Sequence, residues 1–127
     1  MQAFLLVGAG RAIGAMARHG MAVLVGRVWT GGFPLATLLV NALGSVLMGV
    51  LIGVLARTLP QMGNDIRLFV AVGILGGFTT FSSFSLDSIV LIERGELAQA
   101  FLYIALSVVI CLAGLYLGLL VTRGGAA

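Results

Sequence analysis

The sequence predicts an all-α membrane protein with four transmembrane helices, the third broken near mid-membrane. Three observations carry this. Of the 127 residues 61% are hydrophobic and only 9% charged, at a mean hydropathy of +1.21. A soluble domain of this size needs far more charge to cover its surface. Four windows also reach the about 20 mainly apolar residues that a spanning helix requires. Finally, the stretch GGFTTFSSFSLD at residues 76–87 interrupts one window with paired glycines and a run of hydroxyls.

The predicted spans cover residues 3–25, 33–56, 68–92 and 97–121 of one membrane domain, 1–127. MQAFLLVGAG lacks a basic region before its apolar stretch, so it reads as the start of the first span and not as a removable signal. GRVWTGGFP links spans one and two, with Trp29 at interfacial height and Pro34 suited to a helix's first turn. In RTLPQMGNDIR, Pro60 and Gly63 stop the second helix, and Asn64 or Asp65 can cap the next. ERGEL is a tight turn, and TRGGAA a frayed tail. No segment is left over for a soluble catalytic module, so no enzyme is predicted.

All seven basic residues are Arg, against four acids. They are scattered singly between apolar segments, which excludes the basic patch that nucleic-acid binding needs. The lone Cys111 forms no intrachain disulfide, and no CxxC or His cluster offers a zinc or transition-metal site. Four spans put Arg57, Arg67 and Arg123 on one side, and Arg27 and Arg94, with Arg18 near them, on the other. Three against three gives no orientation under the positive-inside rule. Chance can produce this balance in so small a set. The sharper reading is a chain that inserts both ways up and pairs antiparallel with itself.

Polar residues form stripes. Thr37, Asn41, Ser45, Gly49 and Gly53 recur every four residues along one helix face. Gly49 and Gly53 read as a packing seam. Asn41 is a carboxamide near mid-bilayer whose two donors need partners, which marks a functional site. Tyr103, Ser107 and Cys111 repeat the spacing in span four, continuing into packing glycines Gly114 and Gly118. In span one Gly8, Gly10 and Gly14 read as packing residues. Arg18, beside His19, snorkels or pairs with an acid. Arg11 sits near the centre of its window, where a charge is expensive, so it faces water or a partner unless the span begins later.

Span three divides at Gly76 and Gly77. Thr79, Thr80, Ser82, Ser83 and Ser85 follow, residues that compete for backbone hydrogen bonds and cap helix starts. Such a break frees carbonyls that can coordinate a small cation, while the second half-helix presents N–H groups and a positive dipole end to an anion. Phe78, Phe81 and Phe84 are spaced by three. Phe78 reads as core or lipid-facing. Phe81 and Phe84 share their faces with serines, where positive ring edges can stand in for part of an anion's hydration shell.

These residues resemble a known family. GGFTTFSSFSLD is similar to the GG-x-TTFSTFS-x-E signature of the small bacterial fluoride channels, the Fluc family, also called CrcB. GAMAR resembles its GA-x-x-R, and ATLLVN its GTL-x-VN. The resemblance covers the length, span layout and motif order of the whole chain. It implies an antiparallel, dual-topology homodimer in the bacterial cytoplasmic (inner) membrane, conducting fluoride passively through two pores and relieving fluoride toxicity. It implies a structural sodium ion (Na⁺) at the subunit interface, on the backbone carbonyls of Gly76 and Thr79. The fluoride pathway falls on Asn41, Phe81 and Phe84, with Tyr103, Ser107 and Cys111 on the fourth span. Thr37 and Ser82 add hydroxyls, and Arg18 and Asp87 are structural or interfacial residues.

Four departures stand out: Ser83 for Thr, Asp87 for Glu, Ala36 for Gly, and Arg11 where the family has a small or uncharged residue. Two other readings compete. A small proton-coupled multidrug or cation exporter is also four-span and antiparallel, but needs a membrane-embedded acid, and spans one and two have none. A non-transporting structural subunit would tolerate change at Asn41 and Phe81.

Overall fold

The computed structural model describes residues 1–58 and 63–122. All described elements are helical. Helix α1 (Gln2–Val28) is followed by α2 (Leu35–Thr58). The third segment opens with one turn, α3 (Gly63–Ile66), widens into a π-type helix (Arg67–Leu75) and ends in a last turn, α4 (Gly76–Phe78). After a two-residue interruption come α5 (Phe81–Glu93) and α6 (Leu97–Thr122). Among the described residues three stretches are long and apolar enough to cross a membrane: Leu35–Leu55, Asn64–Glu93 taken across its interruption, and Leu97–Thr122. Helix α1 has 27 residues, about 40 Å, but carries Arg11, Arg18 and Arg27.

The connections follow from local chemistry. Trp29 leaves the helical region and its indole Nε1–H donates to the Phe33 carbonyl at 2.9 Å, folding the first loop back. Pro34, which has no N–H to lose, stands just before α2 and accepts from Leu38 N–H at 3.3 Å. At the turn after α5, Gly95 takes φ +81°, and the N–H groups of Gly95 and Glu96 bond the Ile92 and Leu91 carbonyls, each at 3.0 Å. This is a Schellman stop, which needs the left-handed residue that glycine supplies. Asn64 and Asp65 lie inside α3 and do not cap it, with Asp65 favourably placed in the first turn. The expected stop at Pro60 and the tail at 123–127 lie outside the described residues.

Two glycine seams organise the packing. In α1, a methyl on Gly10 would come within 2.8 Å of the Gly73 α-carbon, and one on Gly14 within 2.7 Å of the Phe78 nitrogen. Gly77 lies as tightly on Arg11, its added methyl falling 2.9 Å from the Arg11 α-carbon. In the second seam, a methyl on Gly118 would sit 2.6 Å from the Val46 carbonyl, and Gly49 faces the Leu115 carbonyl. In both seams residue numbers rise together on the two partners, so α1 runs parallel to the third segment and α2 parallel to α6. Small residues permit this backbone approach, which maximises dispersion contact where no hydrophobic force is available. Gly8 has open space around it and is not part of a seam.

Large apolar side chains cover the outside, Val109, Leu112 and Phe101 among them. Inside, Phe78 is buried, and Leu38, Leu91, Ala100 and Tyr103 form a small core beside the third segment's second half.

Candidate functional site

The site begins with the interruption itself. Thr79 and Thr80 are extended (φ/ψ −81°/157° and −153°/124°), and α5 starts afresh at Phe81. In a continuous helix Thr80 N–H would bond the Gly76 carbonyl, and Ser83 N–H the Thr79 carbonyl. Both donors are diverted. Thr80 N–H donates to Asn41 Oδ1 at 2.8 Å, and Ser83 N–H to Thr80 Oγ1 at 3.2 Å. The Gly76 and Thr79 carbonyls thereby lose their helical donors, which is the chemistry a small cation or a cationic side chain satisfies.

Asn41 splices α2 to the break. Its Nδ2 also donates to the Thr80 carbonyl, at 3.0 Å, so the two bonds together fix which way the carboxamide points. The second amide hydrogen is not used by Thr80. Gly44, one turn along, has no side chain to collide with the Thr79 methyl, and this lets α2 come so near.

Beside this junction lies a groove of about 440 Å³. Its polar lining comes from Asn41 and Ser45 on α2, Thr79 and Thr80 at the break, and Ser107 and Cys111 on α6, with Met48 and the Phe81 and Phe84 rings alongside. The positive end of α5 opens next to it. Ser107 is the decisive member. It is 6% exposed and its hydroxyl has no hydrogen-bond partner. A serine inside a helix ordinarily bonds the carbonyl four residues back, as Ser88 does with Phe84 at 2.8 Å. Ser107 forgoes that bond, at a cost of about 1–3 kcal/mol for a buried unsatisfied group.

The family model described as "CrcB-like protein, Camphor Resistance (CrcB)" matches residues 5–119. The chain belongs to the CrcB family. Among its curated relatives, the "Fluoride-specific ion channel FluC" of Erythrobacter litoralis is 49% identical over 131 residues, covering 97% of this chain and 93% of that protein. The proteins of the same name from Paracoccus denitrificans and Caulobacter vibrioides are 49% and 45% identical, covering 95% and 97% of this chain and 94% and 97% of theirs.

In this CrcB chain the groove gathers Asn41, Phe81, Phe84, Ser107 and Cys111 of the residues expected on the pathway. The others stand around it. Thr37 lines a second cavity of about 230 Å³ with Arg18, His19 and Ser83, and Thr80 lines both cavities. Ser82 is exposed, its hydroxyl 3.3 Å from that of Thr80. Tyr103 is fully buried behind the groove and donates to Asp87 Oδ2 at 3.2 Å. That bond ties α5 to α6, and it is direct, where an acid one methylene shorter than Glu was expected to need a shifted backbone or a bridging water.

Tyr103 also props a ladder of rings. It meets Phe33 edge-on (centroids 5.6 Å apart, planes at 88°) and Phe84 at 5.3 Å, and Phe84 meets Phe81 at 5.5 Å. Such pairs add about 0.5–1.5 kcal/mol each beyond area burial. They hold Phe84 half-buried while Phe81 is 78% exposed at the groove's mouth. Sequence reasoning missed Met48 and Phe33. It placed Ser45 on the Asn41 stripe, one turn on, without naming it as a lining residue. Phe33 lies in a loop, where periodicity gives no signal.

Proposed function

We propose that this chain is a fluoride-selective passive ion channel that lets F⁻ leave the cell across the bacterial cytoplasmic membrane and so limits fluoride toxicity. The observation that carries the reading is the buried, unpartnered Ser107 hydroxyl in a groove shared with the Asn41 amide and two phenyl rings. Fluoride is small and strongly hydrated, and a dry passage must return its lost water through close donors. Hydroxyl and amide hydrogens do so directly. Phenyl rims do so weakly, which allows the ion to leave again. Asp87 is held by Tyr103 outside the groove lining, which disfavours proton-coupled export.

The account includes four spans, with α1 as the first, and two copies of the chain packed antiparallel. Thr80 lines both cavities and so stands where one would lead into the other. The Gly76 and Thr79 carbonyls, freed of their helical donors, would be balanced by a small structural cation, Na⁺, or by another positive charge beside the break. Conduction needs no coupled reaction. An inside-negative potential drives the anion out, at about 2.3 kcal/mol per charge per 100 mV.

Purified protein in liposomes, with potassium shunted by valinomycin, tests this: fluoride leaves and chloride is retained. Equal chloride efflux, or no fluoride release beyond empty vesicles, contradicts it. A sharper form uses Ser107→Ala. Removing one donor at about 1.4 kcal/mol lowers fluoride efflux about tenfold. Because the hydroxyl has no partner to lose, the thermal unfolding midpoint stays level or rises.

A further inference from the structure

Arg11 is a permanent charge on a helix that packs against the broken segment, and it reaches the break. Its guanidinium Nη2 and Cζ lie 3.2 and 3.6 Å from where a Gly76 β-carbon would stand, while its own backbone seats on Gly77. The paired glycines thus have separate uses: Gly77 admits the α1 main chain, and Gly76 leaves room for the guanidinium.

None of the four acids is placed to neutralise it. Asp65 is eleven residues before Gly76, about 16 Å along the helix. Asp87 is engaged by Tyr103, and Glu93 and Glu96 flank the turn at the far end of α5. A guanidinium stays protonated at any physiological pH and offers five donors in a plane. The break that follows Gly76 leaves two main-chain carbonyls, those of Gly76 and Thr79, without helical donors, because their N–H partners bond Asn41 and Thr80 instead.

We infer that Arg11 does, in this chain, the electrostatic work of a bound cation at the break, so that the fold does not depend on sodium there. The inference rests on the reading of the Gly76 and Thr79 carbonyls as a cation site. Antiparallel pairing sharpens it, because each copy brings its own guanidinium toward the crossing and a further cation between them meets repulsion from both.

The test is thermal unfolding of the purified full chain in sodium chloride and in N-methylglucamine chloride at equal ionic strength. The wild type is expected to melt at the same temperature in both. Arg11→Ala should melt lower in N-methylglucamine and recover by about 4 °C or more in sodium. Arg11→Gln, which keeps the volume and loses the charge, gives the same pattern should the alanine variant not fold. A wild type that loses stability without sodium overturns the inference, and so do neutral variants indifferent to sodium. Fluoride efflux measured on the same preparations keeps the outcomes apart. A wild type that conducts no fluoride removes the channel reading and leaves the melting comparison standing.

Discussion

Asn41→Asp is expected to cut fluoride efflux by about 100-fold or more while the helices stay in place. The aspartate can still accept Thr80 N–H, as Asn41 Oδ1 does at 2.8 Å. It cannot donate to the Thr80 carbonyl, which now accepts from Nδ2 at 3.0 Å. Two oxygens then face each other, and the loss of a buried partner costs about 1–3 kcal/mol. The larger effect is on the ion. A carboxylate about 4 Å from a passing anion repels it by roughly 4 kcal/mol at an effective dielectric constant near 20, and a tenfold drop in rate needs only about 1.4 kcal/mol. Efflux from liposomes at matched protein content measures the effect, with far-UV circular dichroism as the folding control. Wild-type flux in this variant would show that the anion passes elsewhere.

Gly14→Val should have the largest effect on assembly. The new Cβ would run into the Ile74 carbonyl and stand 2.7 Å from the Phe78 nitrogen. Both are main-chain atoms of the segment that carries the break, so neither can swing away as a side chain would. Helix α1 must shift outward, opening the seam that Gly10 and Gly73 also share. Overpacking of this kind costs about 1–3 kcal/mol, occasionally more. The expected outcome is a thermal midpoint lowered by about 4 °C or more for a domain of this size, with fluoride efflux reduced as well. Gly8→Val is the control, since its methyl meets nothing within 4 Å. Its midpoint should stay at the wild-type value.

How much of this was legible in the sequence depends on what helical periodicity can encode. A four-residue repeat assigns residues to one face, and it put Asn41 with Ser45, and Ser107 with Cys111, where the groove now joins them. It also put Tyr103 on the Ser107 face. The repeat cannot say that a phenol, longer than a serine hydroxyl, passes behind the groove to reach Asp87. The break was legible because paired glycines followed by hydroxyls are a local signal, and Thr80 does cap α5. The π-type stretch Arg67–Leu75 was not legible. Nothing in RLFVAVGIL distinguishes it from an ordinary apolar helix, and its widening is a tertiary matter. Gly8, Gly10 and Gly14 look alike in sequence. Only the azimuth of α1 against the third segment separates the last two, which pack, from the first. Arg11 was visible as an anomaly, but the glycine that makes room for it lies 65 positions away, at Gly76.

The claim that an anion travels along the groove between α2, α6 and the break can be tested through Cys111, the chain's single cysteine, which lines that groove. Wild-type protein in liposomes is labelled with a small methanethiosulfonate, the extent of labelling is counted by mass, and fluoride efflux is then recorded. The account predicts that efflux falls in proportion to labelled Cys111 and that Cys111→Ser conducts normally before and after the reagent. Undiminished efflux from fully labelled wild-type protein would contradict it.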